Sequence, residues 1–123
     1  MGLRAGAAVT RLKRLRLLGA RVAIVERIAV PRALFPGLDE DPSALPNELY
    51  RHYETVYGVT VARAVERLKA VAATASEARA LGLAATAPLL EIDRIAYALD
   101  GRAVEWRRSR CDTRGHHYLS EIV

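Results

Sequence analysis

Cysteine is almost absent: Cys111 is the only one in 123 residues. No internal disulfide can staple the fold, and such sparing use fits a reducing compartment, the cytoplasm. No apolar run approaches the roughly 20 residues that cross a bilayer, and no secretory leader pattern is present. Aromatic residues are few, with one Trp, one Phe and five Tyr. The chain has no base-stacking aromatic pair, no Lys-rich tail and no helix-turn-helix pattern. Direct nucleic-acid binding by this stretch is therefore not expected, despite a formal net charge of +5. A phosphate-cradling glycine loop and a nucleophile elbow are also missing. His116 and His117 stand near Cys111, but neighbours on a strand point to opposite faces, and the spacing matches no zinc pattern. Neither a metal nor a cofactor is expected.

Apolar residues make up 51% of the chain, enough for one domain to bury a core without staples. The basic excess is mostly Arg, spread over several segments. That reads as a solvated surface with one or two arginines recruited to a site.

A weak repeat organises the rest. Residues 11–27 and 91–107 each carry an apolar-and-basic run, a tight Gly-containing turn, and a second run with one acid, Glu26 or Glu105. Gly2-Leu3 and Gly82-Leu83 precede the copies. Arg14 and Arg94 share an offset, which slips by one residue at the turn. Two copies cannot build a solenoid, so the repeat implies a sheet of hairpins.

In chain order, residues 9–18 read as a strand with Arg14 and Arg16 on one face. Gly19-Ala20 supplies a turn. Val22, Ile24, Glu26, Ile28 and Val30 then alternate, and an acid on an apolar strand face wants a cation or a ligand. Register decides its company. A three-residue turn, Gly19 to Arg21, sets Arg14 opposite Glu26. A two-residue turn sends Glu26 to the other face. Residues 31–38 form a single helical turn between Pro31 and Pro36-Gly37, and residues 39–44 an acidic loop. Asn47 is placed to cap a helix over residues 48–57. Leu49, Tyr53, Val56 and Tyr57 form its apolar face, Tyr50 lies off centre, and Gly58 ends it.

Residues 61–73 are ambiguous. Their alanines favour a helix running on towards Gly82. The Thr74 and Glu77 spacing instead fits a capping box that starts a fresh short helix after a strand. Residues 88–99 and 102–112 are strands around an Asp100-Gly101 turn. A turn at Thr113-Arg114-Gly115 leads to a last short strand over residues 116–123. The sum is an α+β domain, an antiparallel sheet with helices packed on one side. Arg14, Arg16, Glu26 and Glu105 on sheet faces suit a small polar metabolite, since Arg holds carboxylate or phosphate in bidentate fashion. Cys111 reads as a small buried apolar residue.

These residues carry a resemblance. The run Val9-x-Arg11-Leu12-x-Arg14-Leu15-Arg16, then Glu26-Arg27 and Leu34-Phe35-Pro36-Gly37-Leu38, resembles the start of a UTRA domain. So do Glu48-Leu49-Tyr50, Tyr57-Gly58-Val59, Arg63-Ala64, Leu81-Gly82-Leu83, residues 100–106 and Arg108-Ser109. The resemblance implies the effector-binding and dimerising half of a GntR-type transcription regulator of the HutC subfamily. It implies a fold similar to chorismate lyase, with residues 61–73 extended. It also implies a winged-helix DNA-binding domain N-terminal to this chain, through which alone DNA would be bound, and a homodimer. The family's effector contacts fall on Arg14, Arg16, Glu26, Tyr50, Glu105 and Cys111. Glu48 replaces a common small hydroxyl residue and would repel a phosphate. Cys111 stands where an aromatic is frequent. The rival readings are an enzyme of chorismate-lyase type and a purely structural dimerisation module.

Overall fold

Alternation of apolar residues fixes two hairpins, and their pairing fixes everything else. A computed structural model describes residues 8–40, 45–119 and 121. Its elements are β1 (Val9–Leu18), β2 (Arg21–Pro31), a 3-10 turn (Arg32–Leu34), α1 (Leu49–Tyr57), β3 (Val61–Ala72), α2 (Ala75–Leu81), β4 (Pro88–Ala98) and β5 (Ala103–Cys111). The strands form one antiparallel sheet in the order β1-β2-β5-β4-β3. Each repeat copy is a hairpin, β1–β2 or β4–β5, and the two hairpins join through β2 and β5.

The first turn is the two-residue one. Leu18 faces Arg21 across Gly19-Ala20, with Gly19 at a φ of 64°. That turn alone would have sent Glu26 to the wrong face. A β-bulge corrects the parity. Leu17 pairs with Val22 and Arg16 with Ile24, so Ala23 is the extra residue and Arg14 faces Glu26. The expected register is present, but the bulge produces it and not a three-residue turn. The second hairpin repeats the device: Tyr97 pairs with Ala103 and Ala96 with Glu105, leaving Val104 extra. Its turn carries one more residue, which is the slip seen in the sequence repeat. The structural equivalents are therefore Arg14 with Arg94, Ile24 with Glu105, and Glu26 with Arg107. The two acids do not correspond. A pseudo-twofold axis passes through the cross-strand pair Arg27 and Arg108.

Two cores lie on opposite faces of the sheet. On one, Leu12, Ile28, Val30 and Val104 pack with Phe35, Leu38, and Leu49 and Tyr53 of α1. On the other, Val25 and Leu89 pack with Ala73, and Ala78 and Leu81 of α2. Val25 and Ile28 are three apart on one strand, so they point to opposite sides. The expectation of helices on one side thus holds for α1 only. α2 covers the other face because its apolar pair meets the odd positions of β2 and β4.

The ambiguous stretch is strand β3, paired with β4 along its length. Helix preference separates ordinary residues by at most about 0.7 kcal/mol each, which sheet pairing overrides. α2 starts afresh with a complete capping box. Thr74 Oγ1 accepts from the Glu77 N–H at 3.1 Å, and Glu77 accepts from the Thr74 N–H at 3.0 Å. Two local expectations fail. Glu48, not Asn47, is the N-cap of α1, and it makes no side-chain cap bond. Residues 116–119 are not a strand. They lie over the α1 face of the sheet, where Tyr118 reaches Glu66, and do not reach a sheet edge to pair with. Residues 1–7, most of the acidic loop (41–44), and residues 120, 122 and 123 fall outside the described residues. Val56, assigned to the apolar face of α1, is 58% exposed.

Candidate functional site

Pairing on the α1 face lines up alternating positions of four strands. Arg14 lies opposite Glu26, Glu26 opposite Ser109, and Ile24 opposite Cys111. Glu26 is only 3% exposed. Three guanidiniums surround it: Arg14 Nε at 3.8 Å, Arg16 Nη1 at 3.7 Å and Arg107 Nη1 at 3.7 Å. These separations exceed hydrogen-bond length. Among the described residues, the one hydrogen bond Glu26 accepts comes from Ser109 Oγ, at 3.3 Å. Glu26 Oε1 and Arg14 Nη1 are both buried without a hydrogen-bond partner among those residues. Buried polar groups are nearly always bonded, and an orphaned one costs about 1–3 kcal/mol. The arrangement is therefore primed for a third party carrying both donor and acceptor.

Glu105 has the opposite character. It is fully buried. Arg107 grips it through Nε at 2.9 Å and Nη2 at 2.8 Å, Tyr53 Oη donates at 2.6 Å, and Tyr50 Oη donates at 3.3 Å. Tyr50 Oη in turn accepts from Arg94 Nη1 at 3.2 Å. Arg94 Nε bonds Glu66 at 2.8 Å, and Glu66 also accepts from Tyr118. One network therefore ties α1, β3, β4, β5 and the C-terminal segment together. Burial would lower the Arg107 pKa, but the Glu105 carboxylate outweighs it and holds the guanidinium above its ordinary value. Burial, and then Glu105, push the Tyr53 phenol up. Burial lowers Arg14, with Arg16 and Arg107 adding to that against the pull of Glu26.

A cavity of about 330 Å³ opens over this face, with Arg16, Glu26, Ser109 and Cys111 at one end and Arg94 and Tyr118 at the other. Ile24, Leu90 and Ile92 give it an apolar floor. Residues 116–119 form its roof. Burial, and then Glu26, raise the Cys111 thiol to about 11, so it is a neutral wall group at neutral pH. A neighbouring hollow of about 340 Å³ lies at the start of α1, lined by Glu48, Tyr50 and Arg51. Arg94 and Arg107 line both spaces.

Of the residues singled out from sequence, Arg16, Glu26 and Cys111 line the cavity and Tyr50 lines the hollow. Arg14 and Glu105 sit beneath, Arg14 against Glu26 and Glu105 inside its own network. Sequence reasoning missed Arg94, Arg107, Ser109, Tyr53 and the roof. Arg94 was visible as the repeat partner of Arg14. Arg107 and Ser109 follow Glu105 at two-residue steps, the spacing that keeps a strand on one face.

Comparison with known proteins agrees with this geometry. A family model described as "UTRA domain" matches residues 1–117. The HTH-type transcriptional repressor NagR of Bacillus subtilis is 32% identical over 101 residues, covering 82% of this chain and 41% of that protein. The HTH-type transcriptional regulator Rv0792c of Mycobacterium tuberculosis is 38% identical over 63 residues, covering 51% of this chain and 23% of that protein. The chain thus spans less than half the length of either relative. Among solved structures, the ligand-binding domain of a GntR-family transcriptional regulator from Bordetella bronchiseptica superposes with a TM-score of 0.91 at 34% identity, covering 98% of this chain and 78% of that one. PhnF from Mycobacterium smegmatis does so with a TM-score of 0.88 at 26% identity, covering 99% of this chain and 53% of that one.

Proposed function

Because this chain belongs to the UTRA domain family, we propose that it is the effector-binding half of a GntR-type transcription regulator, one that senses a small metabolite in the cavity beneath residues 116–119. The observation that carries this reading is the pair of orphaned atoms, Glu26 Oε1 and Arg14 Nη1, buried next to a cavity lined by Arg16. The charge of the network narrows the ligand. Arg14, Arg16, Arg94 and Arg107 face Glu26, Glu66 and Glu105, leaving one positive charge unbalanced. A monoanion with a hydroxyl group beside its acid matches that excess. Its acid binds Arg16, and its donor satisfies Glu26. Glu48 at the mouth of the neighbouring hollow weighs against a doubly charged phosphate ester.

In the whole regulator the domain pairs with a second copy, and effector binding repositions N-terminal winged-helix domains that contact DNA. Its place is the cytoplasm; no described helix is long and apolar enough to cross a membrane. An enzymatic role is disfavoured because Glu105, fully buried, is locked by Arg107 and two tyrosines and has no lone pair free for proton transfer. Incubation with chorismate should release no pyruvate.

A thermal-shift screen of monoanionic hydroxy acids, followed by calorimetric titration of the hits, tests the reading. Arg16→Ala should weaken the hit by roughly 2 kcal/mol, the cost of removing one partner of a buried charged hydrogen bond, and leave the melting temperature of the free domain nearly unchanged. Equal affinities for wild type and variant would refute the assignment.

A further inference from the structure

We infer that the opposite face of the sheet carries a second, smaller site, which takes a free oxyanion of phosphate type between Arg27 and Arg108. These two arginines face each other directly across the β2–β5 ladder, on the pseudo-twofold axis. Like charges set opposite each other in a ladder repel and destabilise it. An anion held between them turns that repulsion into two attractions.

The surroundings leave Arg27 without an acid and hold Arg108 only by an ion pair to Glu91, with no hydrogen bond to it among the described residues. Arg27 is exposed and makes no ion pair among the described residues; nor does Lys13, its neighbour on β1. Arg108 Nε is buried and has no hydrogen-bond partner. The acid closest to it is Glu91, at 3.4 Å. Glu91 is already held by Arg110 Nη2 at 2.9 Å and Nε at 3.2 Å. Glu77, the other nearby acid, accepts twice from Arg110 Nη1, at 3.0 and 3.1 Å, and once from the Thr74 N–H. Arg27, Lys69, Arg108 and Arg110 thus face Glu77, Glu91 and Asp93, which leaves one positive charge of this cluster unbalanced, and Arg27 carries it. Asp93, next along the same cross-strand row, has a buried oxygen with no partner and forms no ion pair with Arg108.

A cavity of about 160 Å³ lies at this point, lined by Val25, Arg27, Thr74, Glu77, Arg108 and Arg110. It is about half the size of the cavity on the α1 face and has room for a compact oxyanion. Guanidinium forks suit phosphate geometry because their paired N–H groups match two oxygens.

The test is a titration of the 123-residue chain with inorganic phosphate at constant ionic strength in chloride, read by backbone amide resonances. Saturable shifts centred on residues 25–27, 74–77 and 108–110 are expected. Arg27→Gln and Arg108→Gln should each weaken the binding roughly tenfold, as removal of one charged hydrogen-bonding partner does. Arg16→Gln, on the other face, should leave it unchanged. Arg27 is exposed, so its variant keeps the fold. Linear, non-saturating shifts would overturn the proposal, as would binding that Arg16→Gln abolishes and Arg27→Gln leaves intact.

Discussion

Glu26 and Glu105 look alike in the sequence, one acid in the second strand of each repeat. Burial and partners set them apart. Glu105 is saturated by a bidentate arginine and two phenols, so it belongs to the framework. Glu26 is surrounded by cations that stay beyond hydrogen-bonding distance, so it keeps bonding capacity that the proposed effector would use. Glu105→Gln should therefore act on the fold. It leaves the Arg107 guanidinium buried without its counter-charge, and the expected cost is about 3 kcal/mol, read as a shift of the urea midpoint at constant slope. A normal midpoint with lost effector binding would instead put Glu105 in direct contact with ligand. The distinction was not legible in the sequence, because satisfaction of a carboxylate depends on Tyr53 and Arg107 arriving from different elements. The shared face of Arg14 and Arg16 was legible, since two-residue steps on a strand need no tertiary knowledge; that Glu26 joins them was not, because it rests on the bulge at Ala23.

At the scale of the element, the bulge at Ala23 decides which face Glu26 takes: the same residues paired regularly from the two-residue turn would set Arg14 opposite Val25 and turn Glu26 away. Removing Ala23 altogether closes the bulge and keeps Arg14 opposite Glu26 and Arg16 opposite Ile24. The deletion variant should therefore keep cooperative unfolding and effector binding, measured by near-ultraviolet circular dichroism and by calorimetry. A deletion that loses both would mean that the bend the bulge gives the strand, and not the register alone, shapes the site. Nothing in Val22-Ala23-Ile24 announces a bulge, since apolar residues run through it unbroken. β3 was equally opaque to propensity, and only the family pattern pointed to a strand. The tail was misjudged for another reason: a turn at residues 113–115 can lead into a segment lying on a face as well as into a strand pairing at an edge.

At the scale of the molecule, the sheet ends in two open edges, β1 and β3. β3 runs from Val61 to Ala72 with Val65 46% and Leu68 47% exposed. Long apolar edges are templates for pairing with another chain. The domain is expected to sediment as a dimer at micromolar concentration, and Leu68→Lys should shift it towards monomer. A wild-type chain that stays strictly monomeric would count against the pairing. The two-hairpin plan could be read from the repeat alone; the opposite placement of the helices could not, because it depends on which strand parity α2 meets.

The seam between the hairpins has a kinetic meaning. β2 and β5 share only six residue pairs, Ile24–Ala29 with Cys111–Trp106. Each hairpin is local and closes in microseconds, whereas joining them closes a loop of roughly 70 residues. The cavity straddles that seam, with Glu26 on one hairpin and Arg107, Ser109 and Cys111 on the other. Until the seam zips there is nothing for an effector to hold. Bound effector should then leave the refolding rate unchanged in stopped-flow experiments and slow unfolding in proportion to occupancy. The regulator's ligand would double as a clasp on its half-life.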